Sequence, residues 1–256
     1  MSEGSPTIES PSPEVKAEDY LNSLKTDPAP ILDKCKVRLC CPVCNTGRSL
    51  KYYCYECFEI LGSSREEIPS LKLPVKLDIL KHEKESDSKS TAIHAKILAP
   101  EDAEIILFPS QTPQYENPER TLLLYPSEDA LTLNEIDPTS FDRILVVDGT
   151  WSQAKIMVRD SPALQKLRKV TIKPRKTMFW RYQKISENYL STIEAVYYLY
   201  REYYEAYQSD IAYDGRYDDL LFYYKYFYNL IQNHYKDNSR IKFTSKHRKG
   251  SDYIKY

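Results

Sequence analysis

Short apolar runs that alternate with helical patterns predict an α/β protein, built on a mostly parallel sheet with helices on its faces. A small zinc ribbon should precede it. Three observations carry this expectation. Strand-like runs fall at Val75–Ile79, Glu104–Phe108, Thr121–Tyr125 and Ile144–Val147, each bounded by Pro, Asp or Ser, with a weaker fifth at Val170–Lys173. Helical patterns lie between and after them. Two Cys-x-x-Cys pairs stand ahead of the first run.

The 256 residues, 41% hydrophobic and 29% charged, suffice for one large core plus a small module. A net charge of −1 does not announce a nucleic-acid partner, which would have to be met by a local patch. No run approaches the roughly 18 apolar residues of a membrane span, and the amino terminus lacks a basic-then-apolar leader pattern. No membrane association is therefore expected. The expected location is reducing and intracellular, nuclear or cytoplasmic, with the nucleus favoured.

Taken in order, residues 1–34 are rich in Ser, Pro and Glu and read as disordered, apart from a helical turn near Ala17–Leu24. Residues 35–68 hold all six cysteines. Cys41-x-x-Cys44 and Cys54-x-x-Cys57 have the spacing of a closed, tetrahedral zinc site, against the alternatives of unpaired thiols or a redox pair. Cys35 and Cys40 are left over, and Cys40 could replace Cys41 by a register shift. Residues 69–236 form the main domain, and 237–256 a basic tail that includes the cationic run Arg240–Lys249.

In the main domain, Val75, Leu77 and Ile79 alternate as a half-buried strand, and Ala92–Leu98 forms a helix after Ser90-Thr91. Ile144–Val147 is a buried strand that runs into Asp148-Gly149-Thr150 and a further helix. Ligands of open α/β sheets sit at the carboxyl ends of strands, which marks this turn; helix capping by Asp and Thr is the competing reading. Ser127, in the loop Tyr125-Pro126-Ser127, is likewise a plausible cap.

Lys166–Lys184 contains eight Lys or Arg and no acid. Such a segment should attract phosphate through Lys173, Arg175, Lys176 and Arg181, with Phe179, Trp180 and Tyr182 as faces for unstacked bases, solvated surface charge being the alternative. Ser191 and Glu194 have the spacing of a capping box at a helix start. A tyrosine stripe at Tyr197, Tyr200 and Tyr204 marks that helix's buried face. Leu220 or Leu221, Tyr224, Phe227, Tyr228 and Ile231 mark the next.

Asp148-Gly149-Thr150-Trp151 with Gln153 and Ala154, Leu190-Ser191-Thr192-Ile193-Glu194-Ala195, Tyr125-Pro126-Ser127, the His82, Glu85 and Thr91 set, and Arg38 with the cysteine pairs together resemble the DTW-domain family. Members of that family are tRNA-uridine aminocarboxypropyltransferases related to the knotted SPOUT methyltransferases. The resemblance implies a SPOUT-like sheet whose carboxy-terminal region is knotted and binds S-adenosylmethionine (SAM). The implied binding loops are Tyr125, Pro126 and Ser127; Asp148, Gly149 and Thr150; and Leu190, Ser191 and Thr192. It further implies transfer of the 3-amino-3-carboxypropyl group to N3 of a D-loop uridine in tRNA, with Asp148 as general base or cofactor ligand, Glu194 as its runner-up and His82 among the RNA-contacting residues. Methyl transfer, or a non-catalytic zinc-ribbon tRNA-binding protein, are the alternatives; monomer and homodimer both stay open.

Overall fold

An apolar strand with both faces covered belongs in the middle of a sheet, and Lys76–His82 (β1) is buried from Leu77 through Lys81. The structure, a computed structural model, describes residues 16–87, 89–111, 113–180, 188–210 and 212–237. With Ala103–Phe108 (β2), Thr121–Leu124 (β3), Arg143–Asp148 (β4) and Arg168–Val170 (β5), β1 builds a sheet of order β2-β1-β4-β3-β5. Every pairing is parallel. The five strands expected from the sequence are these five, with β5 beginning two residues earlier than its apolar run.

Register decides what each face holds. Leu77 and Ile79 of β1 lie beside Ile144 and Val146 of β4. These four point into the larger core, shared with Ala92–Leu98 (α3) and Thr192–Tyr207 (α6). The alternate residues Leu80, Leu123 and Leu145 pack on the other face with Met157 and Val158 of Trp151–Asp160 (α4) and Leu164 of the short Pro162–Gln165 helix (α5).

Tyrosine fills much of the core on the α6 side. Tyr197 and Tyr200 of α6 and Tyr224 and Tyr228 of Phe222–Asp237 (α7) are fully buried. A buried phenol needs a partner for its hydroxyl: Tyr200 donates to the Val75 carbonyl at 3.2 Å and Tyr197 to Asp218 at 3.2 Å. The tyrosine stripe is therefore core, as its helical spacing indicates.

The expected disorder does not extend over the whole of residues 1–34. Ala17–Ser23 and Pro30–Lys34 are helices (α1 and α2), with Leu21 and Leu32 no more than 1% exposed. Between them the Lys25 and Asp27 N–H groups donate to Asp218 (2.8 Å) and Asp219 (2.7 Å). Low average hydrophobicity concealed a few leucines at positions that meet the core. Residues 1–15 and the basic tail from 238 lie outside the described residues.

The cysteine-bearing module is docked on the main domain. Tyr52 and Tyr53 share a core cluster with Ile93 and Ile97 of α3 and with Phe222 and Tyr223 at the start of α7. The Tyr53 hydroxyl and His94 Nε2 are hydrogen-bonded at 3.0 Å. Burial pushes the pKa of His94 down to about 3, so its imidazole is neutral in the folded chain. Unfolded, it takes up a proton near 6.5, so the stability present at neutral pH is lost as pH falls below that value. The slope expected from this one group is up to about 1.4 kcal/mol per pH unit. Urea unfolding between about pH 7.5 and 5.5 at saturating zinc checks it, and a His94→Gln chain with an undiminished slope would assign the effect elsewhere.

Candidate active site and metal centre

Each cysteine pair closes a tight turn that ends in a left-handed residue, Asn45 (φ 51°) after Cys44 and Phe58 (φ 59°) after Cys57. Backbone bonds lock both turns: Asn45 N–H to Cys41 O at 2.8 Å, and Cys54 N–H to Glu59 O at 2.8 Å. The four Sγ atoms of Cys41, Cys44, Cys54 and Cys57 lie within 4.8 Å of one another, with Cys44 and Cys54 at 3.8 Å. A tetrahedron with metal–sulfur bonds of about 2.3 Å has edges of about 3.8 Å, so the cluster fits zinc. Arg48 donates to Cys44 Sγ (2.8 Å) and Cys54 Sγ (3.1 Å), offsetting thiolate charge, and is itself paired with Glu56. Cys40 is exposed, and the Cys35 thiol donates to the Gly62 carbonyl at 3.3 Å. Neither joins the cluster.

At the carboxyl edge of the sheet, Asp148 shares its parity along β4 with Ile144 and Val146, and so points into the α3/α6 side. It is 3% exposed. Ser90, just before α3, donates to Oδ2 at 2.7 Å, and Thr192, the first residue of α6, donates to Oδ1. Burial raises the Asp148 pKa, while the hydroxyls of Thr192 and Ser90 and the charge of Lys81 act to lower it. Lys81, beside Asp148 in register, is 3% exposed and pairs with Asp87 at 2.7 Å. One more bond ties the same two helices, from Ile193 N–H to Thr91 Oγ1 at 3.2 Å.

Gly149 follows in a close approach. A Cβ there would lie 3.3 Å from His82 Cβ and 3.0 Å from Gln153 Oε1, so any side chain would crowd both. Thr150 caps α4 reciprocally with Gln153, which accounts for its capping signature. Trp151 packs against Tyr189, with ring centroids 4.1 Å apart and the rings tilted by 31°. Tyr125 leaves β3 beside this edge, and Ser127 Oγ is buried with no hydrogen-bond partner among the described residues. Leu190 and Thr192 are half-buried, and buried Ser191 closes a capping box with Glu194 at the start of α6. The three expected loops thus emerge at one edge, and His82 joins them, its Nδ1 accepting the Lys84 N–H at 3.0 Å.

Two expectations need correction. Glu194 is fully buried with both oxygens engaged: Oε2 accepts from Thr177 (2.7 Å) and the Ser191 N–H (2.8 Å), and Oε1 from the Met178 N–H (2.7 Å). That makes it an anchor with no oxygen left exposed for a substrate, so the base role does not fit. In the acid-free segment, in turn, three cations are met by acids from elsewhere in the chain: Arg175 pairs with Glu202 (3.1 Å), Lys173 with Glu205 (3.3 Å) and Lys169 with Asp129 (2.8 Å). Arg175 also lies over the Tyr198 ring at 4.5 Å. Phe179 and Trp180 are 9% and 6% exposed, packed towards Tyr224, and offer no face to a base. Lys176 is exposed; Arg181 and Tyr182 lie outside the described residues.

A cavity of about 500 Å³ opens at the opposite, amino end of β1, β2 and β4, lined by Asp78, Tyr115 and Arg143 among others. Asp78 there accepts from Arg143 (2.6 Å) and from Tyr115 (2.7 Å). Its polar groups serve each other, and none belongs to the motifs.

Sequence reasoning passed over Lys81 and Ser90. The signal existed: Lys81 shares the parity of Leu77 and Ile79, and a lysine at an inward position calls for a buried acid.

The DTW domain family model matches residues 51–232. tRNA-uridine aminocarboxypropyltransferase 1 of Xenopus tropicalis is 35% identical over 270 residues, covering 87% of this chain and 90% of that protein. The Homo sapiens protein of the same name is 34% identical over 277 residues, covering 89% and 88%. tRNA-uridine aminocarboxypropyltransferase 2 of Drosophila melanogaster is 50% identical over 54 residues, 21% of this chain and 22% of that protein. No solved structure matches. No helix among the described residues is long and apolar enough to cross a membrane.

Cys54→Ser, which removes a buried corner of the tetrahedron, should abolish stoichiometric zinc and lower the melting temperature. Metal analysis of folded parent protein showing no zinc would refute the site. Asp148→Ala strips the acceptor from Ser90 and Thr192 and should cost about 1–3 kcal/mol in urea unfolding. An unchanged midpoint would show that these hydroxyls do not depend on it.

Proposed function

The chain belongs to the DTW-domain family, and on that footing we propose that it transfers the 3-amino-3-carboxypropyl group of SAM to N3 of a D-loop uridine in tRNA. The observation that carries the reading is the convergence of the family's segments at one edge of the sheet, pinned together through Asp148. The same reading implies a SPOUT-like sheet whose carboxy-terminal part is knotted, and puts SAM among Tyr125–Ser127, Asp148–Thr150 and Leu190–Thr192. The hydroxyls of Ser127 and Ser191 lie buried at this edge, which suits a polar ligand.

SAM, when bound, supplies an electrophilic carbon beside its sulfonium and departs as methylthioadenosine. The protein's tasks are to present N3 and to remove its proton. N3 lies on the pairing edge of uracil, so the target base must be unpaired or extruded. Asp148 is too buried to touch that base directly. Half-buried Thr192 bridges the gap: its Oγ1 accepts the N3 proton while passing its own to Asp148 Oδ1, to which it is already hydrogen-bonded. Burial favours this transfer because it raises the affinity of Asp148 for a proton. Glu194 and Glu202 hold the 173–178 segment against α6, which fixes where Lys176 meets the RNA backbone. The chain acts inside the cell, in nucleus or cytoplasm.

Incubation of the purified chain with SAM and unmodified tRNA should release methylthioadenosine and leave 3-(3-amino-3-carboxypropyl)uridine in the digested RNA. Release of S-adenosylhomocysteine would replace the reading with methyl transfer. Thr192→Val should lower kcat by about 10²-fold, in the range of positioned proton-transfer groups, with little change in the KM for tRNA. A Thr192→Val chain with parental kcat would remove the relay.

A further inference from the structure

From Lys34 to Tyr55 the chain carries five cations (Lys34, Lys36, Arg38, Arg48 and Lys51) and no acid. Arg48 is consumed by the thiolates and Glu56. The other four have no ion-pair partner among the described residues, and Lys34, Lys36 and Arg38 are exposed. In the 166–176 segment, by contrast, Lys169, Lys173 and Arg175 each meet a carboxylate within 3.3 Å. The ribbon therefore carries four cations with no ion-pair partner among the described residues, three of them exposed within five positions.

The same stretch exposes apolar side chains. Val37 is 65% exposed, Leu39 41% and Val43 66%, in a short run that also carries Lys36 and Arg38. The backbone beneath them is held: Arg38 Nε donates to the Ser49 carbonyl at 3.0 Å, and Cys40 is bridged to Gly47. The ribbon in turn is seated on α3 and α7 through Tyr52 and Tyr53. Lysine and arginine alternating with aliphatic residues on a fixed surface match a sugar-phosphate backbone, whose phosphates take the cations and whose ribose and unstacked base faces take the apolar groups.

We propose that the Lys34–Val43 face of the zinc ribbon is a second tRNA-docking surface, which grips the RNA backbone away from the reacting uridine. This rests on the tRNA substrate proposed above. Its contribution is to affinity and to placement of the tRNA body, so it acts on KM and leaves the chemical step alone. The contacts are independent of base sequence, as expected of a face without a pocket or a bidentate base reader.

The test uses the full zinc-loaded chain and unmodified tRNA, with binding read by fluorescence anisotropy over a series of salt concentrations and without SAM. Lys36→Glu/Arg38→Glu should weaken binding by about tenfold or more and reduce the slope of log K against log salt by about two. Lys36→Arg/Arg38→Lys, which keeps both charges, should bind like the parent. Zinc content and melting temperature establish that the variants are folded; should the acidic variant lose zinc, Lys34→Gln/Lys36→Gln carries the same expectation with a smaller effect. Parental affinity and salt slope in a folded variant overturn the proposal. So would unchanged tRNA binding combined with lost binding to vesicles containing phosphatidylserine, which would assign the face to an anionic membrane. Because no cofactor is present, failure of the transfer reaction leaves this result standing, and an active enzyme with an unaffected ribbon variant refutes only the docking surface.

Discussion

A carboxylate taken out of water must find donors inside the protein, and much of the arrangement at the carboxyl edge of this sheet follows from how Asp148 finds them. Its two oxygens are met by Ser90 and Thr192, residues 58 and 44 positions away in sequence. Each donor sits at the start of a helix, so satisfying one side chain fixes where α3 and α6 begin relative to β4. Lys81 supplies the nearest positive charge from the adjoining strand, and Asp87 balances Lys81 in turn. The result is a buried polar network spanning four segments of chain, whose members stabilise one another only if all are present.

The strands, the α3 and α6 helices, the tyrosine core and the cysteine tetrahedron were all legible in the sequence, because each has a period or spacing that geometry imposes. Asp148 was legible as a motif but not as a buried anchor, although its parity with Ile144 and Val146 pointed inward. Charge was read least well. An acid-free count along Lys166–Lys184 measures only one segment, and the neutralising groups Glu202, Glu205 and Asp129 come from α6 and from the loop after β3. Electrostatic neutrality is settled in three dimensions, where a sequence window is blind.

The same limitation explains Phe179 and Trp180. Aromatic residues interleaved with cations look like a surface for bases when the chain is read as a line. Here Glu194 pulls the Thr177–Met178 backbone onto α6, and the two rings that follow are turned into the core against Tyr224. A single buried glutamate therefore accounts for three departures from expectation: its own lack of a free oxygen, the burial of the aromatic pair and the tethering of the basic segment. Glu202 repeats the device two turns later with Lys173 and Arg175.

Ribbon and edge are also joined mechanically, and the joint is α3. His94 of this helix bonds to Tyr53, the residue before Cys54, while Ser90 and Thr91 at its start bond to Asp148 and to the Ile193 N–H. A contact with the cysteine module and a contact with the network that holds α6 thus lie only four positions apart at the start of one helix. Close-packed interiors transmit displacement because there is little free volume to absorb it. Loss of the cysteine tetrahedron would free Tyr53, loosen the seat of α3 and relax the two hydroxyl bonds that orient Thr192. The cysteine module is thus joined through packing on α3 to the sheet edge where the motifs meet, even though none of its four thiols lies there.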